Sequence, residues 1–189
     1  MKHHLLAAAL VAAFAAAPAQ AVTLTSSSGA AVTSYSSGSL LAYDLDFTTL
    51  GTASLTFTLD AADIGSTLSF NALVRNLSGL GIDGVTMTLT GASFGEPGSI
   101  ATDGFQAITA SGSSAQQAWA RFSPGLTTDL YLGAPLGEGT NWTINLAGAQ
   151  AGGSFTIAVA VPEPETYALM LAGMALVGVA ARRAHRVKG

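Results

Sequence analysis

A period of two in hydrophobicity, which recurs from residue 40 to residue 161, limits the fold more than any other feature. In several short runs an apolar residue alternates with serine or threonine, as in the segment 54–59, Ser-Leu-Thr-Phe-Thr-Leu. Successive side chains of a β-strand point to opposite faces of a sheet, so this period is typical of strands with one buried and one solvated face. Helical spacing of apolar residues is absent from the same region. The pattern therefore predicts an all-β domain.

The clearest alternation predicts five strands, and three weaker runs bring the expected number to about seven to nine. The clear runs are 55–59, 68–74, 85–89, 142–146 and 155–161, and the weaker ones are 41–47, 118–122 and 129–132. Turn sequences between runs, among them Asp83-Gly84 and Ser123-Pro124-Gly125, predict chain reversals. This spacing predicts an antiparallel β-sandwich, Ig-like or jelly-roll-like. A partly open barrel is the alternative, because the period does not reveal how the sheets close.

The residues before the first run have a different composition. Residues 22–39 are rich in serine, threonine, glycine and alanine. Such a segment is either a linker or a first edge strand. The folded domain is therefore expected to cover residues 40–161.

The first 21 residues have the organisation of a secretory signal peptide. A basic start at Lys2 precedes an apolar run from Leu5 to Ala17, and Ala19 and Ala21 form an A-x-A cleavage site. The apolar run is shorter than the roughly 20 residues that a membrane-spanning helix needs. We therefore predict a signal helix that signal peptidase removes after Ala21, with the general secretion machinery as the first partner.

Residues 22–160 carry an acidic charge balance. Arg75 and Arg121 are the only cations, and nine Asp and Glu residues minus two arginines give a net charge of −7. Such a surface repels phosphate backbones, so nucleic acid is not an expected partner. Cysteine is absent from the whole chain. The domain must therefore be stabilised by a hydrophobic core rather than by disulfides.

The C-terminal residues 162–189 combine three features in order. Pro162, Glu163 and Pro164 begin a spacer in which proline favours an extended backbone. The uncharged segment 167–181 would be about 22 Å long as an α-helix, which is short for a hydrocarbon core of about 30 Å. Spanning then needs local thinning of the bilayer or snorkelling side chains. We predict a short transmembrane helix at 167–181.

A basic cluster follows that segment, at residues 182–188. Arg182, Arg183, Arg186 and Lys188 are expected to stay on the cytoplasmic side and to fix the orientation of the helix. A plain C-terminal anchor behind a proline-rich stalk is one interpretation of such a tail.

The order of these features resembles the PEP-CTERM sorting signal of Gram-negative bacteria, and Pro162, Glu163 and Pro164 match its motif completely. The resemblance implies recognition by an exosortase, an integral membrane protease and transpeptidase-like enzyme. It implies a cut near the motif, a transient hold in the inner membrane, and a final location at the cell envelope surface or outside the cell. By analogy it also implies an exopolysaccharide or biofilm-matrix setting. It says nothing about the activity of the exported domain.

Side chains that most catalytic sites require are missing from the exported domain. Residues 22–160 contain no His, Cys or Lys, so Ser-His-Asp and Cys-His arrangements and His or thiolate metal sites cannot form there. The closest carboxylate pairs are Asp44 with Asp46 and Asp60 with Asp63, and the first pair is expected to face solvent on a strand. We predict a non-enzymatic domain with no catalytic residue, cofactor or metal. A carboxylate-dependent secreted glycoside hydrolase and a calcium-dependent binding module are the alternatives.

One aromatic residue is a candidate glycan contact. Trp142 alternates in phase with Ile144 and is expected in the core, whereas Trp119 lies beside Gln117 and Arg121. An indole ring presents a flat apolar face and a polar edge, which suits stacking on a sugar. The sequence thus predicts a structural, adhesin-like or polysaccharide-associated module.

Overall fold

A computed structural model describes residues 22–104, 107–162 and 172–177, and most of them lie in thirteen β-strands. A single 3-10 turn, Ala61–Asp63, lies between β4 and β5. The all-β prediction is confirmed. The strands are β1 Val22–Ser28, β2 Ala31–Ser34, β3 Leu40–Phe47, β4 Gly51–Leu59, β5 Thr67–Asn76, β6 Ile82–Thr90, β7 Ser93–Phe94, β8 Ile100–Thr102, β9 Ala107–Ser113, β10 Gln117–Leu126, β11 Leu130–Leu132, β12 Trp142–Asn145 and β13 Ser154–Val161.

The strands form two sheets. Sheet A has the order β1-β4-β13-β6-β10-β9, and sheet B has the order β2-β3-β5-β11-β8, with β12 pairing with β5 and β7 pairing with β12. All pairs in sheet A are antiparallel. In sheet B the β3–β5 pair is parallel, so the antiparallel prediction is wrong for this pair. The chain passes through β4 in sheet A between these two strands, and it therefore re-enters sheet B in its original direction.

One hydrophobic core lies between the sheets. The apolar positions of the five clear sequence runs are all buried, so their predicted phase is confirmed. Phe57 of β4 stacks on Phe155 of β13 with ring centroids 4.8 Å apart, and Tyr43 of sheet B meets Phe57 at 5.9 Å. These rings join the two sheets. The distinction between an Ig-like and a jelly-roll-like topology stays a prediction.

Three strands were not predicted, namely β7, β8 and β9, and the segment 22–39, for which a linker or a first edge strand was expected, forms two edge strands, β1 and β2. Four of these five strands have mostly small, solvent-facing side chains without apolar alternation, and β7 has only two residues. The predicted turns at Asp83-Gly84 and Ser123-Pro124-Gly125 are wrong, since both sequences lie inside strands. Glycine suits position 84 of β6 because an added Cβ would be 2.9 Å from the backbone oxygen of Ala120 and 3.1 Å from Arg121 Cδ of β10.

The two termini are only partly described. The predicted signal helix at 1–21 lies outside the described residues. Residues 172–177 are helical and exposed, inside the segment predicted to be a transmembrane helix. Among the described residues, no helix has the length and hydropathy required to cross a membrane. The transmembrane helix at 167–181 therefore stays a prediction.

Candidate functional site

The outer face of sheet B, which is turned away from the core, brings charged and aromatic residues from several strands together. Leu73 at the centre of this face is in register with Asp44 of β3 on one side and with Tyr131 of β11 on the other. One residue pair further along, Asp46 is in register with Arg75. Outward positions of neighbouring strands thus form two adjacent cross-strand rows.

Arg75 forms ion pairs with both aspartates of β3. Its Nη1 donates a hydrogen bond to Asp46 Oδ1 at 2.9 Å, and its Nη2 donates to Asp44 Oδ2. The Asp44 side chain is only 12% exposed, so the prediction of a solvated aspartate is wrong here. Burial opposes the charge of Arg75, but the fields of Asp44, Asp46 and Asp129 raise its pKa. The parallel β3–β5 pairing is what places the guanidinium between the two carboxylates.

Asp129 and Asp103 extend the acidic character of this face. Asp103 N donates to the Asp129 carbonyl at 2.9 Å. Burial raises the pKa of Asp129, and the charge of Asp103 adds to this effect, while Arg75 opposes it. Burial and the same two aspartates raise the pKa of Tyr131. Three aspartates therefore act on one arginine, Asp103 adds a fourth negative charge next to Asp129, and the face is net negative.

Beside the ion pairs lies a groove of about 320 Å³. Two of its lining residues, Tyr35 and Leu136, are 61% and 69% exposed. Leu73, Asn71 and the Asp44–Arg75 pair also line it. The groove thus combines apolar surface with both hydrogen-bond donors and acceptors.

The loop that carries Leu136 is anchored at both ends. Asn141 Oδ1 accepts hydrogen bonds from Asn71 Nδ2 and from Ala134 N, each at 3.0 Å. Gly133 N donates to Ser99 O at 2.7 Å. These bonds hold the loop against sheet B, so Leu136 separates the groove from a second hollow of about 170 Å³ that Tyr131 and Glu138 help to line.

Trp119, the predicted glycan contact, lies on the opposite sheet. It is half-buried on the outer face of sheet A, so it does not contribute to the groove. Tyr35, the more exposed aromatic, contributes instead. In the sequence, the pair of aspartates at outward strand positions was the signal that could have located the groove. Their partner Arg75 lies about thirty residues further along the chain, so the ion pairs could not be predicted from the local pattern. Trp142 is 2% exposed, which confirms its core position.

The second acidic pair is structural. Asp63 is 1% exposed, and its Oδ2 accepts a hydrogen bond from Asp60 N at 2.6 Å. This bond closes the 3-10 turn between β4 and β5, so Asp63 is not a solvated carboxylate. Within residues 22–104, 107–162 and 172–177, no three His, Cys, Asp or Glu side chains come together in a way that could hold a metal ion.

A family model described as a PEP-CTERM protein-sorting motif matches residues 160–184. This chain carries a PEP-CTERM protein-sorting motif. The motif supports an exported protein that an exosortase sorts toward the cell surface. No curated protein and no solved structure matches the chain.

The PEP-CTERM motif begins within the last strand of the domain. Val161 of β13 is fully buried and pairs with Gly51, and β13 lies in the interior of sheet A between β4 and β6. Pro162 is half-buried at the end of this strand. The motif residues Glu163 and Pro164 lie outside the described residues, as do the basic residues Arg182, Arg183, Arg186 and Lys188 and the cleavage residues Ala19 and Ala21.

Replacing Asp129 with asparagine is expected to stabilise the protein at neutral pH. The folded-state pKa of Asp129 is above its unfolded value, so its ionised form destabilises the fold once the pH exceeds that raised pKa. Below the unfolded pKa the group is neutral in both states and this cost is absent. Asp129→Asn should raise the melting temperature by about 1–2 °C at pH 7.

The same comparison at about pH 3 should show no gain, because Asp129 is then protonated. Circular dichroism melts of both proteins at the two pH values measure this. Glu96→Gln, in an exposed loop, is the matched control and should change little at either pH. A lower melting temperature for Asp129→Asn at pH 7 would contradict the assignment.

Proposed function

We propose that residues 22–161 form a non-enzymatic module that associates with polysaccharide after export, as a structural or adhesin-like component of the extracellular matrix. The observation that carries this proposal is the groove on sheet B. Exposed Tyr35 and Leu136 stand beside buried hydrogen-bonding groups of Asn71 and Asp44. Pockets that combine apolar surface with a few placed polar groups suit small, orientable ligands.

The chemistry of the groove favours a sugar. A tyrosine ring can stack on the apolar face of a pyranose, while carboxylate, amide and guanidinium groups exchange hydrogen bonds with its hydroxyls. The net negative charge of the face disfavours anionic polymers. The groove is therefore proposed to take a neutral glycan.

The proposal of a non-enzymatic domain is supported by the pairing of Asp44 and Asp46. One oxygen of each carboxylate accepts a hydrogen bond from Arg75, so the two groups share a cation rather than stand as a free acid and base. One observation favours the second candidate, a carboxylate-dependent glycoside hydrolase. Asp129 has a raised pKa, as a general acid requires, and Asp103 is its neighbour.

We propose that the tail anchors the protein in the inner membrane only until it is cut off. The apolar segment 167–181 is short for a permanent span, and the motif ahead of it is where an exosortase would act. Removal of the tail would leave the domain on the surface or free outside the cell.

Tyr35→Ala is expected to weaken binding of a soluble neutral polysaccharide about tenfold, because one stacking contact is lost. Affinity electrophoresis of the exported, processed protein with dextran, laminarin and a soluble mixed-linkage β-glucan measures this, and Tyr35→Phe should retain most of the affinity. The proposal that the groove binds a neutral glycan would be contradicted if the protein bound none of these polymers, or if Tyr35→Ala bound as tightly as the unaltered protein. New reducing ends that Asp129→Asn abolishes would instead support the hydrolase.

A further inference from the structure

The outer face of sheet A has short side chains and little charge along its central strands. The outward positions of its strands β4, β6 and β13 contain seven threonines, two serines, two alanines and one glycine, and no charged residue. A surface designed for solubility is given about 25–35% charged residues. β-Propensity explains threonine at such positions, and what distinguishes this face is that twelve outward positions on three adjacent strands all have short, uncharged side chains.

The outward side chains of this face lie in rows across the strands, and most of them carry a hydroxyl group. One row runs Thr88, Ala158, Ser54 and Ser28, in which Ala158 has no hydroxyl, and the next runs Thr90, Thr156, Thr56 and Ser26. Thr56 Oγ1 and Thr156 Oγ1 are 3.0 Å apart and share a hydrogen bond. Strands are about 4.8 Å apart and same-face residues about 6.8 Å apart along a strand, so the rows form a regular two-dimensional array.

Trp119 lies at one side of this array. It is in register with Thr86 of β6 and with Gly112 of β9. A Cβ added at Gly112 would be 3.1 Å from Cε2, Cζ2 and Nε1 of the Trp119 indole alike. The absence of a Cβ at Gly112 therefore leaves the space in which the Trp119 indole packs against this backbone. Trp119 is only half-buried, so part of its side chain is exposed beside the array.

We propose that the outer face of sheet A, with Trp119, is a platform for the surface of an ordered, uncharged polysaccharide. Short side chains give the platform no walls, so it cannot enclose a single small sugar. A repeating array of hydroxyls fits a partner that also repeats, and the flat indole fits the apolar face of a sugar ring. The charged residues near the platform are Arg121 of β10 and Asp83 at the start of β6, which have opposite charges, so net ionic attraction contributes little.

This platform is on the opposite side of the domain from the groove, and the inference deepens the proposed association with polysaccharide. The groove would take one soluble chain, whereas the platform would adsorb to packed chains. Because the two surfaces share no residue, variants in one leave the other intact. The two proposals can therefore fail separately.

The test is adsorption of the exported, processed protein to microcrystalline cellulose and to chitin, with depletion isotherms at low and high salt. Trp119→Ala is expected to weaken adsorption about fivefold to tenfold, as for loss of one aromatic contact. Thr88→Lys puts a long charged side chain in the middle of the array. It should weaken adsorption at least as much as Trp119→Ala does. Adsorption by the unaltered protein should not fall with salt, since no ion pairs are involved.

Three controls accompany these variants. Thr88→Ser keeps the hydroxyl and should adsorb normally, and Tyr35→Ala, in the groove, should also adsorb normally. Gly112→Val should displace the indole and reduce adsorption while Trp119 itself is retained. Circular dichroism melts of each variant verify that the fold is intact.

Several results would overturn the platform. One is that the unaltered protein adsorbs to neither solid. Another is that Trp119→Ala and Thr88→Lys both adsorb as strongly as the unaltered protein. If only Tyr35→Ala lost adsorption, the solid would bind at the groove and not at the platform. Adsorption to ice, without adsorption to cellulose or chitin, would mean that the platform binds ordered water instead of polysaccharide. Self-association that Thr88→Lys removes, without adsorption, would assign the face to a second copy of the chain.

Discussion

Deletion of Pro162, Glu163 and Pro164 is expected to abolish release of the protein and to leave it in the inner membrane with its C-terminus intact. The PEP-CTERM match at 160–184 includes these residues, and an exosortase that cannot recognise them has no site at which to act. Loss of the exosortase should have the same result. Fractionation and immunoblotting with an antibody against the exported domain distinguish the retained, longer form from the released one.

The structure adds an expectation about where the processed chain ends. Val161 is fully buried and paired with Gly51 in the interior of sheet A. A cut before Val161 would remove part of an interior strand and expose the core. The mature C-terminus should therefore lie at or after Val161, which mass spectrometry of the released protein will show.

Glu165→Ala together with Thr166→Ala is the matched control for the deletion. These changes alter the same spacer but keep the Pro-Glu-Pro residues, so release should continue. Unchanged release and electrophoretic mobility after the motif deletion, or in a strain without the exosortase, would refute sorting through this tail.

Phe57→Ala is expected to lower the free energy of unfolding by about 3–5 kcal/mol, the range for a fully buried phenylalanine. Phe57 has no exposed surface, stacks on Phe155 at 4.8 Å, and meets Tyr43 of the other sheet at 5.9 Å. Its loss would leave a cavity between the sheets and break the ring contacts that join them. The melting temperature should fall by about 10 °C or more.

Two variants bracket this result in the same denaturant titration. Phe57→Leu keeps most of the volume and should cost about 1.5 kcal/mol or less. Thr58→Ala, the next residue and on the outer face, should stay within about 0.5 kcal/mol. A Phe57→Ala protein within about 1 kcal/mol of the unaltered one would contradict a core shared by both sheets.

The groove on sheet B depends on contacts between distant strands, which could not be predicted from the sequence. Asp44 and Asp46 were expected on one face of a strand, and they are. Both pair with Arg75, which is in register with Asp46 only because β3 and β5 pair in parallel. Tyr35 and Leu136 line the same groove although about a hundred residues separate them. Local patterns carry no information about which distant strands become neighbours.

The sequence by itself determined the strand phase of the core and the organisation of the C-terminal tail. Both are local properties, because alternation within a strand and the order of spacer, apolar segment and basic cluster need no distant partner. The tertiary structure alone decided the β3–β5 pairing, the Asp44–Arg75–Asp46 ion pairs, the groove, and the position of Trp119 over Gly112. Each of these depends on the register between strands far apart in the chain, and that register is set when the two sheets close on their common core.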